Sequence, residues 1–249
     1  MHHFFVKPNQ VENGQIRITG SDVNHGKNVL RIRPGEEILV SDGCGMDYIC
    51  QVYSLDETSI LAQITEKETK SRELPAFITL YQGLPKSDKM ELIIQKAVEL
   101  GVTRIVPVAT KNAVVKLEGK REEGKIKRWQ AIAESAAKQS KRSRIPQVSG
   151  VINLGQALQE GAVCESRLIA YEQEEGMAGT KRELLKISGG QRIAVLIGPE
   201  GGFDECEVQA AAKAGFCPVS LGKRILRTET AGLSLLSVIM MKLELMYWA

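Results

Sequence analysis

The strongest constraint on this chain is an alternation of strand-like and helix-like segments that begins near residue 76 and continues almost to the end. Residues 76–82 form a β-branched and aromatic run, and residues 88–100 then place Met90, Ile93, Ile94 and Ala97 at helical spacing before Gly101. Asp88 with Glu91 reads as a capping box for that helix. A strand is predicted over 102–108 and a long helix over 122–139, with Ile126, Trp129, Ala133 and Ala136 facing the core. Further strands are predicted at 167–171, 193–198 and 218–221, and helices at 204–214 and 230–246. Strands joined through helices pair in parallel, so the expected fold class is α/β, a mostly parallel sheet covered on both faces.

The first 72 residues have a different grain. Short strands are predicted over 37–41, 47–55 and 58–65, separated by the turn signals Asp42-Gly43 and Asp56-Glu57, which suggests a compact β-barrel. Residues 66–74 carry almost no apolar side chain before Pro75, as in a solvated linker. The expected domains are therefore 1–72 and 73–249.

The 249 residues are 43% hydrophobic, enough to bury a proper core. With 33 basic and 30 acidic residues the net charge is only +3, so a nucleic-acid partner would have to be met by local basic clusters. No apolar run is expected to reach the length of a membrane span, and the opening Met-His-His-Phe-Phe-Val lacks a secretory pattern, which makes the cytosol the expected address. Cys44, Cys50, Cys164, Cys206 and Cys217 are odd in number and contain no C-x-x-C pair, arguing for reduced cysteines in or near cores and against a disulfide framework or a metal site. All three histidines fall within the first 25 residues, so no histidine triad can form from the rest of the chain. His25 reads as a packed turn residue, and Trp129 and Trp248 as core or interface anchors.

The chemistry concentrates after residue 170. Tyr171-Glu172, the run 197–203 with Gly198, Gly201 and Gly202, and the run 221–231 each follow a predicted strand, where open α/β sheets bind ligands. The glycines allow close backbone approach, Pro199 stiffens the loop, and Asp204 with Glu207 caps the next helix. The loop is neither a dinucleotide fingerprint nor a P-loop, since Gly222-Lys223 is followed by Arg224 and preceded by Cys217 where a P-loop glycine should stand. The helix after it is apolar around most of its circumference, through Leu233, Leu236, Val238, Ile239, Met240, Leu243 and Met246, and so belongs either deep in a core or at a subunit interface.

Gly-Pro-Glu-Gly-Gly at 198–202, followed by Leu-Gly-x-Arg-Ile-Leu-Arg-Thr-Glu-Thr-Ala at 221–231, resembles the ribosomal RNA small subunit methyltransferase E family of the SPOUT superfamily. Lys89-Met90-Glu91, the segments 94–101 and 134–146, His25-x-x-x-Val29-Leu30-Arg31 and Asp42-Gly43 agree in order, so the resemblance covers nearly the whole chain. It implies methyl transfer from S-adenosylmethionine to N3 of a uridine in 16S ribosomal RNA, with the RNA of the assembled small subunit as the expected substrate. It also implies a PUA-like β-barrel, a SPOUT-type catalytic domain with a C-terminal trefoil knot, and a homodimer. Three departures from the family pattern stand out: Lys111-Asn112 in place of Glu-Arg, and Ser87 and Lys141 where glycine is common. They fall in loops expected to face RNA and so bear on RNA contacts more than on the cofactor.

By the resemblance, Glu172, Ile197, Gly198, Gly202, Leu221, Gly222, Ile225, Leu226, Thr230 and Ala231 form the cofactor pocket. Arg227 is assigned to stabilising the uracil oxygens, and Glu229 or Glu200 to taking the N3 proton. Arg227 and Glu229 could equally form a structural ion pair, and Glu200 could simply order its loop. Lys27, Arg31 and Arg33 form one basic cluster, and Lys138, Lys141, Arg142 and Arg144 a second, either phosphate contacts or solvated faces. One cluster precedes the expected boundary and the other follows it, so both domains are expected to share the RNA. A methyltransferase acting on a ribose 2'-hydroxyl and a non-catalytic RNA-binding module remain the alternatives.

Overall fold

A computed structural model describes residues 1–68, 71–174 and 176–247, and Trp248 lies outside the described residues. The chain divides into two units, the first comprising Met1–Glu73 with Ala137–Ile145 and the second Leu74–Ala136 with the chain from Pro146 onward. The first crossing between the units falls after Glu73, where the expected boundary was near 72, and residues 137–145 belong with the N-terminal unit.

In the first unit, β1 (His2–Phe5), β2 (Val11–Glu12), β3 (Gln15–Thr19), α1 (Ser21–Asn24), β4 (Glu37–Ser41), β5 (Asp47–Leu55) and β6 (Ser59–Glu68) follow in order. The sheet runs β1-β4-β5-β6-β3-β2, with β1 parallel to β4 and the other pairs antiparallel. β3 alternates cleanly, burying Ile16 and Ile18 and exposing Gln15, Arg17 and Thr19. The register of β5 against β6 shifts between Ile49 and Cys50 and again between Val52 and Ser54. Such irregularities bend a strand and sharpen its twist. The sheet accordingly curls around one core that includes Phe4, Ile16, Ile18, Ile38, Val52 and Ile60.

The expected solvated linker is largely structured. β6 continues through Glu68, Arg72 lies 3.2 Å from the buried Asp47, and Glu73 is ion-paired with Arg142. Asp47 also accepts hydrogen bonds from Ser41 Oγ (2.5 Å) and Ser143 Oγ (2.6 Å), while Glu73 accepts from the amides of Ser143 (3.0 Å) and Arg144 (3.2 Å). Two carboxylates therefore bind the 137–145 segment to the first unit. His25 is exposed, not packed, and of the cysteines Cys44 and Cys206 are exposed while Cys50 and Cys164 are buried.

In the second unit the order is β7 (Phe77–Gly83), α2 (Lys89–Glu99), β8 (Arg104–Ala109), α3 (Gly119–Gln139), β9 (Gln147–Val148), β10 (Ile152–Asn153), α4 (Leu154–Gly161), β11 (Ser166–Ala170), α5 (Ala178–Lys186), β12 (Arg192–Ile197), α6 (Glu205–Lys213), β13 (Cys217–Val219) and α7 (Thr228–Tyr247); the last residues of α3, from Ala137, group with the first unit. The sheet is parallel throughout, ordered β10-β8-β7-β12-β11-β13 with β9 alongside β8. Its central β12 is an unbroken apolar run, buried from Ile193 to Ile197, as a strand covered on both faces must be. The chain runs outward from β7 through β8 to β10, then crosses to β11, turns inward to β12 beside β7 and passes back to β13 at the other edge, and ligands bind such sheets at the carboxyl ends of the strands.

α2 buries Met90, Ile93, Ile94, Ala97 and Val98. Its expected capping box is absent: the Asp88 side chain makes no cap and lies 3.7 Å from Lys125 Nζ, while Glu91 pairs with Arg128 at 2.8 Å. In α3, Trp129, Ala133 and Ala136 are buried as expected, but Ile126 is only half-buried. α7 is, by length and composition, apolar enough to cross a membrane, contrary to the expectation that no run reaches that length. It buries Gly232, Leu235, Leu236, Ile239 and Leu243 and packs against α2 and β12.

Candidate functional site

Three loops leave the carboxyl ends of β11, β12 and β13 and enclose a cavity of about 360 Å³. The first contributes Tyr171 and Glu172, the second Gly198 to Phe203 without Gly201, and the third Ser220 to Thr228. Nine of the ten residues assigned to a cofactor line this cavity: Glu172, Ile197, Gly198, Gly202, Leu221, Gly222, Ile225, Leu226 and Ala231. Thr230, in the first turn of α7, is exposed and is not among the lining residues.

Glycine is required at 202 on two grounds. Its φ is +63°, and a Cβ there would stand 2.6 Å from Glu172 Oε1. The turn is closed by the Gly202 amide donating to the Pro199 carbonyl at 3.0 Å. Ile225 is 87% exposed at the mouth, an apolar side chain presented to whatever enters.

The loops are held by residues that the sequence reading passed over. Gln82, at the end of β7 and fully buried, donates from Nε2 to Thr228 Oγ1 at 2.9 Å, and the Thr228 hydroxyl donates to the Gly198 carbonyl at 2.5 Å. This relay joins β7, the glycine loop and the start of α7 across 146 residues of sequence. Thr180 of α5 both donates to the Ser220 carbonyl and accepts from the Ser220 amide, each at 2.9 Å, fixing the start of the third loop. Lys111 and Asn112 are also structural here. Asn112 donates to the carbonyl of Gly201 at 3.0 Å, and Lys111 Nζ lies 2.7 Å from Asp204, whose side chain caps α6 through the Cys206 amide. The hydrogen bond between that pair holds Lys111 above, and Asp204 below, their ordinary pKa values. The departure at 111–112 therefore bears on the glycine loop, a correction to its reading as an RNA-facing change. Ser87 and Lys141 have φ of +58° and +56°, which explains why glycine suits both positions.

Lys89, the first residue of α2, also lines the cavity. Its ammonium is 2.9 Å from Glu200 Oε1 and 3.4 Å from Glu229 Oε2, and the hydrogen bond to Glu200 leads the effects that raise its pKa. For Glu200, burial pushes the carboxyl up, but hydrogen bonds from Lys89 and from the amides of Glu200 and Lys86 outweigh it and leave the pKa below the ordinary value. Glu229 is not among the lining residues and is directed to Lys89, not to Arg227. The alternative reading of Arg227 and Glu229 as an ion pair thus gives way to a Lys89 bridge to two carboxylates. Arg227 lines the cavity, is exposed, and its side chain has no ion-pair or hydrogen-bond partner among the described residues.

The basic residues assigned to RNA all fall in the first unit. This corrects the expectation that the two clusters lie in different domains. Lys27, Arg31 and Arg33 have no ion-pair partner among the described residues. Lys138, by contrast, is 2.9 Å from Asp22, and Arg142 is buried against Glu73, so its expected phosphate contact is ruled out by the pairing. Lys141 is exposed, and the Arg144 guanidinium lies against the backbone of Gly45, where a Cβ would come within 3.1 Å of it.

Residues 72–240 match the RNA methyltransferase domain family and residues 18–65 the RNA methyltransferase PUA domain family. The class defined by fold and site is therefore that of a PUA-bearing RNA methyltransferase. The chain belongs to the ribosomal RNA small subunit methyltransferase E family. It is 34% identical to the Bacillus subtilis protein of that name, over 99% of this chain and 98% of the relative, and 38% identical to the Mesomycoplasma hyopneumoniae one, over 95% and 98%. The crystal structure of the Neisseria gonorrhoeae ribosomal RNA small subunit methyltransferase E bound to S-adenosylmethionine superposes with a TM-score of 0.84 at 34% identity, covering 97% of this chain and 98% of that one.

Proposed function

We propose that this protein transfers a methyl group from S-adenosylmethionine to N3 of a uridine in 16S ribosomal RNA of the small subunit, and that it works as a homodimer. The observation that carries the reading is the cavity at the ends of β11, β12 and β13, whose walls are the two motif loops and Glu172. Its volume falls in the range of about 300–1,000 Å³ usual for small-molecule sites. Glycine at 202 and the exposed Ile225 suit a ligand with a polar and an apolar part.

Bound there, S-adenosylmethionine supplies a methyl group already activated on sulfur. The residues of this chain hold and orient. Gly198, Gly202 and Gly222 bring backbone close, Leu221, Ile225 and Leu226 give the apolar wall, and Glu172 edges the pocket. Arg227 has a guanidinium free to meet the uracil oxygens as negative charge moves onto them when N3 gives up its proton. Glu200 is a poor proton acceptor near neutral pH, because Lys89 and two amides already hold it as the anion. Glu229 supports Lys89.

The dimer reading draws on α7. Val238, Met241 and Leu245 stand at i, i+3 and i+7 and are 48%, 50% and 78% exposed, one apolar stripe on the outer face. Sedimentation equilibrium at micromolar concentration should give a dimer mass.

Small subunits lacking the modification, incubated with labelled S-adenosylmethionine, should yield one 3-methyluridine per subunit on nucleoside analysis. Arg227→Ala should lower turnover by about a hundredfold while calorimetry finds the affinity for S-adenosylmethionine nearly unchanged. Label on a ribose would reassign the acceptor to a 2'-hydroxyl, and failure to bind the cofactor or its demethylated product at millimolar ligand would remove the catalytic reading.

A further inference from the structure

The first unit carries a polar groove far in sequence from the motif loops. It encloses about 560 Å³ and is lined by Lys7, Asn9, Gln10, Glu12, Asn13, Gln15, Arg17, Thr19 and Tyr53, with Ile16 and Leu61 at its base. Tyr53 is the extra residue of the second irregularity in β5, where Val52 pairs with Ala62 and Ser54 with Leu61. An extra residue of this kind re-aims its side chain. The ring is 46% exposed, and its hydroxyl donates to Gln15 Oε1 on β3 at 3.3 Å, reaching past the intervening β6. An aromatic face is thus laid across the outer side of the sheet and tethered at its far end.

The wall beside it is prebuilt and rich in donors. Gln10 accepts from the Lys7 amide at 2.8 Å and donates to the Arg17 carbonyl at 2.8 Å and to Thr19 Oγ1 at 3.1 Å, so its own groups are spent in holding the wall. Lys7 and Arg17 have no ion-pair partner among the described residues, and the side-chain amides of Asn9 and Asn13 make no hydrogen bond there. Glu12 is the single carboxylate in the lining. Two cations, two open amides and one carboxylate favour a ligand that is anionic and rich in acceptors, and the tethered ring favours one with a flat face.

We propose that this groove binds one nucleotide of single-stranded RNA, its base stacked on Tyr53 and its phosphate held by Arg17 and Lys7. The inference rests on the reading that the substrate is RNA, and it identifies a contact separate from the clusters at 27–33 and 138–144.

The test uses the full chain and a fluorescein-labelled oligouridylate of about eight nucleotides, followed by anisotropy over a range of salt. Tyr53→Ala should weaken binding about tenfold, since base stacking on an aromatic residue is lost. Tyr53→Phe should stay within about twofold, because the face is kept and only the hydroxyl goes. Arg17→Gln should reduce the slope of log affinity against log salt by about 0.7, the value for one phosphate contact on a single strand. Wild-type affinity in Tyr53→Ala, or an equal loss in Tyr53→Phe, would overturn the proposal. Should Tyr53→Ala lose its circular dichroism signature, the wild-type protein crosslinked to a 4-thiouridine oligonucleotide decides instead. The crosslink should map to Tyr53 or β3, and crosslinks only elsewhere reject the groove. Methyl transfer measured on the same protein separates the two readings: modified subunits without Tyr53-dependent binding remove the groove alone, whereas Tyr53-dependent binding without modification removes the methyltransferase reading alone.

Discussion

The two basic clusters of the first unit look alike in composition and differ in what their charges meet. Lys27, Arg31 and Arg33 follow α1, Lys27 half-buried and the two arginines exposed, with no acidic partner among the described residues. Lys138 and Arg142 are tied to Asp22 and Glu73, carboxylates 116 and 69 residues away in sequence. A guanidinium that is 4% exposed beside a carboxylate that is 12% exposed holds a segment in place and has nothing left for phosphate. The number of basic residues in a segment therefore does not measure its available charge, because pairing is decided by what lies next to it in space.

The sharpest way to break this comparison is Arg142→Ala. Removal of one partner from a buried pair strands the other charge, so the substitution should cost about 3 kcal/mol and lower the melting temperature of the full chain by several degrees. A change within the usual range of surface substitutions would mean that the pair does not hold the 137–145 segment, and the contrast would collapse.

Arg31→Ala should do the opposite. Melting should be unchanged, while affinity for the RNA substrate falls about fivefold and the salt dependence of binding flattens by roughly one unit of slope. Loss of stability with no change in slope would place Arg31 in the same class as Arg142.

The smallest effect is expected at Lys141, the neighbour of Arg142 in the chain. Lys141 is exposed and adopts φ +56°, so Lys141→Gly should relieve backbone strain and stabilise by about 0.5 kcal/mol, with RNA affinity little changed. A marked loss of RNA binding would instead make Lys141 the working charge of the second cluster, and the division between the clusters would need to be drawn between Lys141 and Arg142.

Legibility followed the range of the interactions. β7, α2, β8, α3, β11, β12, α6, β13 and α7 were readable because hydrophobic periodicity is a local property, and so were the glycine loop and the Leu-Gly loop, whereas the two-residue strands β9 and β10 and the short helices α4 and α5 were not anticipated. Glycine at 202 reports a backbone geometry that only its own residue and close neighbours define. β1 was missed, since His2 to Phe5 buries one residue and exists as a strand only through its pairing with β4. The capping box at Asp88 was misread because the sequence spacing is met but the side chains have other partners, Lys125 and Arg128.

By itself the sequence determined the parallel α/β architecture, the strand-rich start, the two motif loops and the family, each of which rests on periodicity, on turn chemistry or on residues adjacent in the chain. Only the tertiary structure decided that residues 137–145 belong to the first unit, that Lys89 and not Arg227 bridges Glu200 and Glu229, and that Gln82 and Thr228 hold the glycine loop. A buried polar group must find a partner once it is removed from water, and which group it finds depends on distances that the fold alone creates.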